Sequence, residues 1–296
     1  MHILLFGKNG QLGWALQRAL APLGKLTALS HDSKEYCGDF LNPNGLIETI
    51  RALKPDVIVN ATGYTAVDLA ETEQDIAMKI NAKSVAVLAK EAKKLGSLLV
   101  HYSTDYVFDG NGFKPWNEDD NPSPVNFYGK TKLSGERAVQ EHCDRYLIFR
   151  TSWIYSTHGN NFIKTILHLG TERETISVVN DQFGAPTGAD LLADCSAHAI
   201  RMVLGDISKC GLYHVASSGV TNWYEYASFI LGIAKQKNKK IILKEIVDVP
   251  SSSFISQALR PMNSRFCTEK FQREFNLILP EWKNGVERML TELMAK

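Results

Sequence analysis

Short apolar runs alternate along the chain with longer stretches in which apolar residues recur every three or four positions. His2 to Phe6 is such a run, stops at Gly7, and predicts a strand buried on both faces. Leu12, Ala15, Leu16, Ala19 and Leu20 then keep helical spacing, predicting a helix over Gln11 to Leu20. The same reading gives strands at Lys25 to Leu29, Val57 to Val59, Leu98 to Ser103 and Tyr146 to Phe149. Between them it gives helices at Gly45 to Leu53, Glu73 to Leu95 and Tyr128 to about Gln140. Beyond Ser152 the rhythm loosens. Helices are expected at Asn161 to Leu169, Ala189 to Leu204, Trp223 to Ala234 and Glu281 to Met294, and strands at Ile176 to Val179, Leu212 to Val215 and Ile241 to Ile246.

Strands alternating with helices at these intervals predict βαβ units. The fold class expected is α/β, a Rossmann-like doubly wound parallel sheet with a smaller C-terminal substrate-binding lobe. Residues 1–152 would form the dinucleotide-binding domain, with later segments returning to it, and residues 153–296 mainly the lobe over the sheet's carboxyl edge.

Composition narrows the function classes. The chain has 296 residues, is 44% hydrophobic and carries a formal net charge of +1. That balance provides no long-range field for nucleic acid or anionic lipid, so neither is expected as a partner. No stretch approaches the apolar length of a membrane helix. Five cysteines without close pairing and eight scattered histidines give neither a disulfide framework nor a metal-binding motif. The opening MHILLFGKNG lacks the apolar length and cleavage site of a signal peptide, and a cytoplasmic location is expected.

Gly7-Lys8-Asn9-Gly10-Gln11-Leu12-Gly13 joins the first strand to the first helix. Glycines there allow a tight turn and close approach of a pyrophosphate, and the helix start offers free N–H groups to that anion. Three glycines alone are common in plain turns; their place between strand and helix gives them weight. An acidic residue about 20 positions on would normally hold the adenine ribose. Here the stretch reads Ser30-His31-Asp32, which would not strongly repel a 2′-phosphate, so NADPH and NADH both remain open as cofactors.

Tyr128 and Lys132 stand four apart, on one face of a helix. The spacing by itself describes any exposed helix pair. The helix, however, follows a strand ending in Ser103, with Thr104 and Asp105 just beyond it, and ligands bind at the carboxyl ends of strands in such sheets. A phenol beside an ammonium can move a proton to or from a carbonyl oxygen.

The spacing GxxGxxG, a threonine after the fourth strand and YxxxK together resemble the extended short-chain dehydrogenase/reductases. Asn60-Ala61, Tyr64 to Asp68, His101 to Phe108, Arg150 to Trp153, Asp181 to Thr187 and Arg260 to Ser264 resemble, more specifically, the dTDP-4-dehydrorhamnose reductase family. The resemblance spans nearly the whole chain. It implies NAD(P)H-dependent reduction of the C4 carbonyl of dTDP-4-dehydro-L-rhamnose to dTDP-L-rhamnose. Tyr128 would donate the proton, Lys132 would hold the nicotinamide ribose and lower the Tyr128 pKa, and Thr104 would bind the reacting oxygen. Asp105 and Trp153 would contact the sugar-nucleotide, and Arg260 would clamp its diphosphate. Gly7, Gly10, Gln11 and Leu12 would bind the cofactor pyrophosphate, with Ser30 at the adenine ribose and Asp39 and Phe40 flanking adenine. Thr62, Gly63, Tyr64 and Tyr102 would line the cofactor along the strand ends, and Asn81 would be a relay or supporting residue.

Departures from the family pattern qualify that picture. Ser30 stands where an acid is frequent, and Thr62-Gly63 where two alanines are usual. Some members dimerise around Mg²⁺ held by carboxylates. Asp190 and Glu292 are available here, but Ala15 stands where a third is expected. A homodimer is compatible with the resemblance; Mg²⁺ fits it poorly. Two other functions stay open: reduction of another nucleotide 4-keto-6-deoxy sugar, and a non-catalytic dinucleotide-binding regulatory subunit. A dehydratase on this fold would need Glu at the third position of Thr104-Asp105-Tyr106, and that base is missing.

Overall fold

The computed structural model describes residues 1–237 and 240–295. The first half alternates strictly: β1 (His2–Phe6), α1 (Gln11–Leu20), β2 (Lys25–Leu29), α2 (Pro43–Leu53) and β3 (Val57–Asn60). Then come α3 (Gln74–Met78), α4 (Ser84–Leu95), β4 (Leu98–Thr104), α5 (Phe127–His142) and β5 (Tyr146–Thr151). Two short strands, β6 (Ile154–Tyr155) and β7 (Thr175–Val179), flank α6 (Phe162–Glu172), and β8 (Phe183–Gly184) and β9 (Thr187–Gly188) lead into α7 (Ala189–Gly205). The chain ends with β10 (Gly211–His214), β11 (Thr221–Asn222), α8 (Trp223–Lys237), β12 (Glu245–Val249), α9 (Glu269–Phe275) and α10 (Trp282–Met294).

Six strands form one sheet in the order β10-β5-β4-β3-β1-β2, every neighbouring pair parallel. A parallel sheet is covered on both faces, so its strands must be apolar on both sides. β4 meets this along its whole length, with all seven residues buried. One face packs Ile3, Leu5, Val57 and Val100 against Leu16 of α1, Leu192 of α7 and Phe271 and Phe275 of α9. The other packs Leu4, Phe6, Ile58 and Leu99 against Ile50 of α2 and Leu88 of α4. Strand order reverses direction between β1 and β3, which opens a crevice at the carboxyl ends of the strands.

Residues after Ser152 return to this sheet: β10 is its edge strand, and α7 lies against α1. The remainder forms a separate core around Tyr226, Trp282, Ile163 and Val286, beside the two-stranded parallel pair β7–β12.

Besides the two-residue strands β6, β8, β9 and β11, three elements differ from expectation. The helix expected over Glu73 to Leu95 is interrupted by a π-helical turn at Lys79–Lys83, which gives Asn81 its place. Its side chain accepts from the Tyr64 N–H at 2.8 Å and donates to the Tyr64 carbonyl and the Thr131 hydroxyl, each at 3.0 Å. π turns recur at functional sites because they re-aim one side chain without ending the helix. The strand expected at Ile241 to Ile246 lies further on, at Glu245–Val249. Ile242 and Leu243 instead donate their N–H groups to the Gly170 carbonyl at the end of α6. The short helix α9 was not expected; Phe271 and Phe275, one turn apart, bury it against the sheet.

Candidate active site

The cleft begins at the β1–α1 turn. Gly7 has φ +87°, and a Cβ there would stand 2.7 Å from the Ala61 backbone after β3. A Cβ on Gly13 would collide with the Gly7 carbonyl. The two glycines therefore let loop, helix and neighbouring strand close on one another. No side chain caps α1, so its first N–H groups have no intrahelical or capping partner. Gln11 and Leu12 supply that uncapped start, which is the cradle a pyrophosphate requires, while the Gly10 N–H is bonded to the Gly7 carbonyl at 3.0 Å. Gln11 also accepts from Asn161 at 3.0 Å, linking this loop to the start of α6.

At the end of β2, Ser30 is buried and donates to Asp32 at 2.6 Å. Around it lies a cavity of about 530 Å³ bordered by Lys8, Asp32, Ser33 and Lys34. Asp39 forms a turn, accepting from the Leu41 N–H at 2.8 Å. Phe40 is not beside this cavity: its ring is buried edge-on against Phe6, with centroids 5.6 Å apart. Thr62 has its N–H held by Asn60, and its buried hydroxyl has no partner among the described residues. Gly63 lies beside the Asn81 side chain, and Tyr64 turns its hydroxyl outward to Glu73 at 2.6 Å.

β4 delivers the reactive groups. Its Tyr102 side chain points to the α7 face and donates to Ser196 at 2.8 Å. Lys132 is buried and donates to the Tyr102 carbonyl at 2.6 Å. Burial lowers the Lys132 pKa to about 8, with Glu136 opposing the shift. Tyr128, one turn earlier on α5, is buried within reach of the Thr104 hydroxyl. Burial and then the Asp105 charge raise its pKa, so the phenol is protonated near neutrality. The Lys132 ammonium is turned to the Tyr102 carbonyl. Asp105 is buried against the Thr104 and Ser264 hydroxyls.

The outer wall comes from the C-terminal lobe. Trp153 adopts φ +49°, an uncommon conformation for a bulky residue. Its ring stacks on Trp223 at 3.7 Å and covers Gly184. Trp223 donates to Gln182 at 3.1 Å, and both border a cavity of about 1000 Å³ with Phe162, Ile176 and the segment 251–262. Sequence reading passed over Trp223, Gln182 and Ser264. The last two lay inside blocks matched to the family, and Trp223 carried no local motif. Arg260 lies at the rim and pairs with Asp68 at 2.8 Å.

Asp190 and Glu292 do not fit a divalent cation. Both carboxylates are paired with Arg288, at 2.7 and 3.2 Å, and position 15 is alanine. A resident guanidinium already supplies the positive charge there. No group of three metal-ligating side chains occurs among the described residues.

Taken together, an uncapped helix start, a buried Thr–Tyr–Lys group and an aromatic-walled cavity suit hydride transfer to a carbonyl beside a dinucleotide. The family described as RmlD substrate binding domain matches residues 1–295. A dTDP-4-dehydrorhamnose reductase of Salmonella typhimurium is 57% identical, with 100% of this chain and 99% of that protein covered. The solved dTDP-4-dehydrorhamnose reductase of Bacillus anthracis, in complex with NADP, superposes with a TM-score of 0.88 at 35% identity, covering 98% of this chain and 99% of that one. That of Clostridium acetobutylicum gives 0.89 at 33% identity and 99% coverage of each chain. The chain belongs to the dTDP-4-dehydrorhamnose reductase family.

Proposed function

We infer that the chain catalyses NAD(P)H-dependent reduction of the C4 carbonyl of dTDP-4-dehydro-L-rhamnose, giving dTDP-L-rhamnose. The observation that carries this reading is full-length identity of 57% to a relative bearing that name, over a chain that keeps Thr104, Tyr128 and Lys132 together. The reduced nicotinamide, when bound, supplies the hydride that C4 of the sugar receives. Every other role falls to the chain. Tyr128, held protonated by burial, gives its proton to the carbonyl oxygen, and Thr104 offers that oxygen a second hydrogen bond. Lys132 exchanges the Tyr102 carbonyl for a ribose hydroxyl and stabilises the phenolate once Tyr128 has lost its proton. Gly7, Gly10, Gln11 and Leu12 hold the pyrophosphate, while Asp39, Thr62, Gly63 and Tyr64 border the rest of the dinucleotide through backbone and hydroxyl groups.

On the substrate side, Asp105 and Trp153 bound the sugar. Arg260, released from Asp68, meets the diphosphate, and the cavity beside Trp223 takes the base. Residues 1–152, together with β10 and α7, serve the cofactor; the rest of 153–296 serves the sugar-nucleotide. Lys8 and Lys34 beside Ser30 suit a 2′-phosphate, which favours NADPH.

No helix among the described residues is long and apolar enough to cross a membrane, and a cytoplasmic enzyme is the reading that accords with this. A homodimer is compatible with the site, each of whose residues comes from one chain, and needs no Mg²⁺ at Asp190 and Glu292.

The test is loss of reduced-nicotinamide absorbance with purified protein and dTDP-4-dehydro-L-rhamnose, with NADPH and NADH side by side and the product identified. Tyr128→Phe should lower kcat by about 100-fold or more while cofactor affinity stays nearly constant. Wild-type turnover in that variant would remove Tyr128 from the chemistry. Absence of turnover by the folded, dinucleotide-binding protein would favour another keto-sugar or a regulatory role.

A further inference from the structure

The amide of Gln11 stands at the uncapped start of α1, and its orientation is set from the C-terminal half of the chain. Gln11 Oε1 accepts from Asn161 Nδ2 at 3.0 Å, across 150 residues of sequence. Asn161 is the N-cap of α6. Its Oδ1 accepts from the Lys164 N–H at 3.3 Å, and its Nδ2 also donates to the Ser156 carbonyl at 2.6 Å. Both of these partners are backbone groups with a single role: an N–H only donates and a carbonyl only accepts. The Asn161 amide therefore cannot be turned over. Its nitrogen faces Gln11, and the atom that meets it must be the Gln11 oxygen. Gln11 Nε2, the donor end of the same amide, has no hydrogen-bond partner among the described residues.

The segment that carries Asn161 is fixed by other means as well. His158 Nε2 bonds the Asn9 carbonyl at 2.9 Å, so that nitrogen carries the hydrogen. The His158 ring stacks on Trp14 of α1, with centroids 4.5 Å apart. Lys164 donates to the Thr157 and Gly159 carbonyls, each at 2.6 Å. Gly159 lies so close to the glycine loop that a Cβ on it would stand 3.1 Å from Gln11 Cγ. The stem of Gln11 is thus bounded by this segment, and Asn161 selects the direction of its amide.

We propose that Asn161 is a positioning residue for the cofactor: by holding the Gln11 oxygen it leaves the Gln11 amide nitrogen to donate to the dinucleotide pyrophosphate. The proposal rests on the reading that places Gln11 at the pyrophosphate. Ionised phosphate oxygens accept and do not donate, so the amide serves them in one orientation and opposes them in the other. A glutamine free to turn would have to be ordered as the cofactor binds, and Asn161 removes that cost beforehand. The cofactor contact is thereby set by the element that walls the other half of the cleft. Phe162 and Thr165, which follow Asn161 on α6, border the cavity beside Trp223.

The experiment is a double-mutant cycle on NADPH binding to the purified full chain, read by calorimetry, with Asn161→Ser, Gln11→Ala and the two combined. Serine and threonine both cap helices but have no amide to hold Gln11. The start of α6 and the Tm should therefore be kept, and Asn161→Thr should reproduce the result of Asn161→Ser. Loss of the oriented bond should raise the Kd for NADPH by about threefold to tenfold. The KM for NADPH should follow, with kcat at saturating NADPH within about twofold of wild type. In the Gln11→Ala background Asn161→Ser should cause no further loss, because the group it orients is gone. A capping or packing role would give the same loss with or without Gln11, so full additivity would overturn the proposal. A wild-type Kd in both Asn161→Ser and Asn161→Thr would also overturn it. Gln11→Ala alone separates the two claims. An unchanged Kd there defeats the placing of the Gln11 side chain at the pyrophosphate, whereas a raised Kd there with unmoved Asn161 variants defeats only the positioning role.

Discussion

The two sides of the cleft are held in place by different means. On the cofactor side, backbone rests directly on backbone: Gly7 against Ala61 and Gly13 against Gly7. The reactive groups sit at the end of β4 and the first turns of α5, with Lys132 tied to the Tyr102 carbonyl. On the substrate side, the wall is the segment 251–262, where Phe254, Ile255 and Leu259 are exposed. That segment is tethered by side chains. Asp181 receives the Ser251 N–H and hydroxyl, while Asp68 receives Ser256, Ala258 and Arg260. Backbone contact leaves the chemical groups no latitude, which suits transition-state geometry; polar tethers can be exchanged for ligand contacts, which suits recognition.

That contrast breaks most readily on the rigid side. Gly13→Ala places a methyl group on the Gly7 carbonyl, and either α1 or the loop must move. Overpacking of this kind costs about 1–3 kcal/mol, and the displaced helix start would no longer meet the pyrophosphate. The expected outcome is a lowered Tm together with a cofactor Kd raised by at least tenfold, read by calorimetry. Unchanged values for both would show that the close approach is not needed.

Much of the rigid side was legible as pattern, because strands buried on both faces and helices wrapped around them leave regular apolar periods. β1, α1 and β2 fall where the periodicity put them. What one period cannot distinguish is a local change of winding, so the π turn carrying Asn81 read as plain helix. Nor does it say which face of a fully buried strand a polar residue takes, so the turn of the Tyr102 side chain towards α7 was not legible. Thr104, Asp105, Tyr128 and Lys132 converge because a short motif and a strand end carried them together. Ser264 and Trp223 come from distant segments, and their meeting with the site depends on tertiary packing rather than on any local signal.

A middle-sized effect is expected on the tethered side. Asp68 gathers the Ser256 hydroxyl at 2.8 Å, the Ala258 N–H at 3.2 Å and the Arg260 guanidinium at 2.8 Å. Asp68→Ala frees the segment, which must then be ordered when the sugar-nucleotide binds. The KM for dTDP-4-dehydro-L-rhamnose should rise by about tenfold, with kcat within about twofold of wild type, since Tyr128 and Lys132 keep their partners. A fall in kcat at constant KM would instead tie Asp68 to the chemistry through Tyr106.

The smallest effect probes the outer end of the rigid side, where the contrast fades. Lys34 is exposed and borders the Ser30 cavity with Lys8, while the Asp32 carboxylate is engaged by the Ser30 hydroxyl. An exposed pair of a lysine with a phosphate is worth up to about 1 kcal/mol, roughly a fivefold factor in affinity. Lys34→Ala should therefore raise the KM for NADPH by about threefold to fivefold and leave that for NADH unchanged. The effect should shrink as salt is raised, because the charge is solvent-exposed. Equal effects on the two cofactors would mean that Lys34 meets the pyrophosphate or nothing at all, and would leave Lys8, on the loop itself, as the group that distinguishes them.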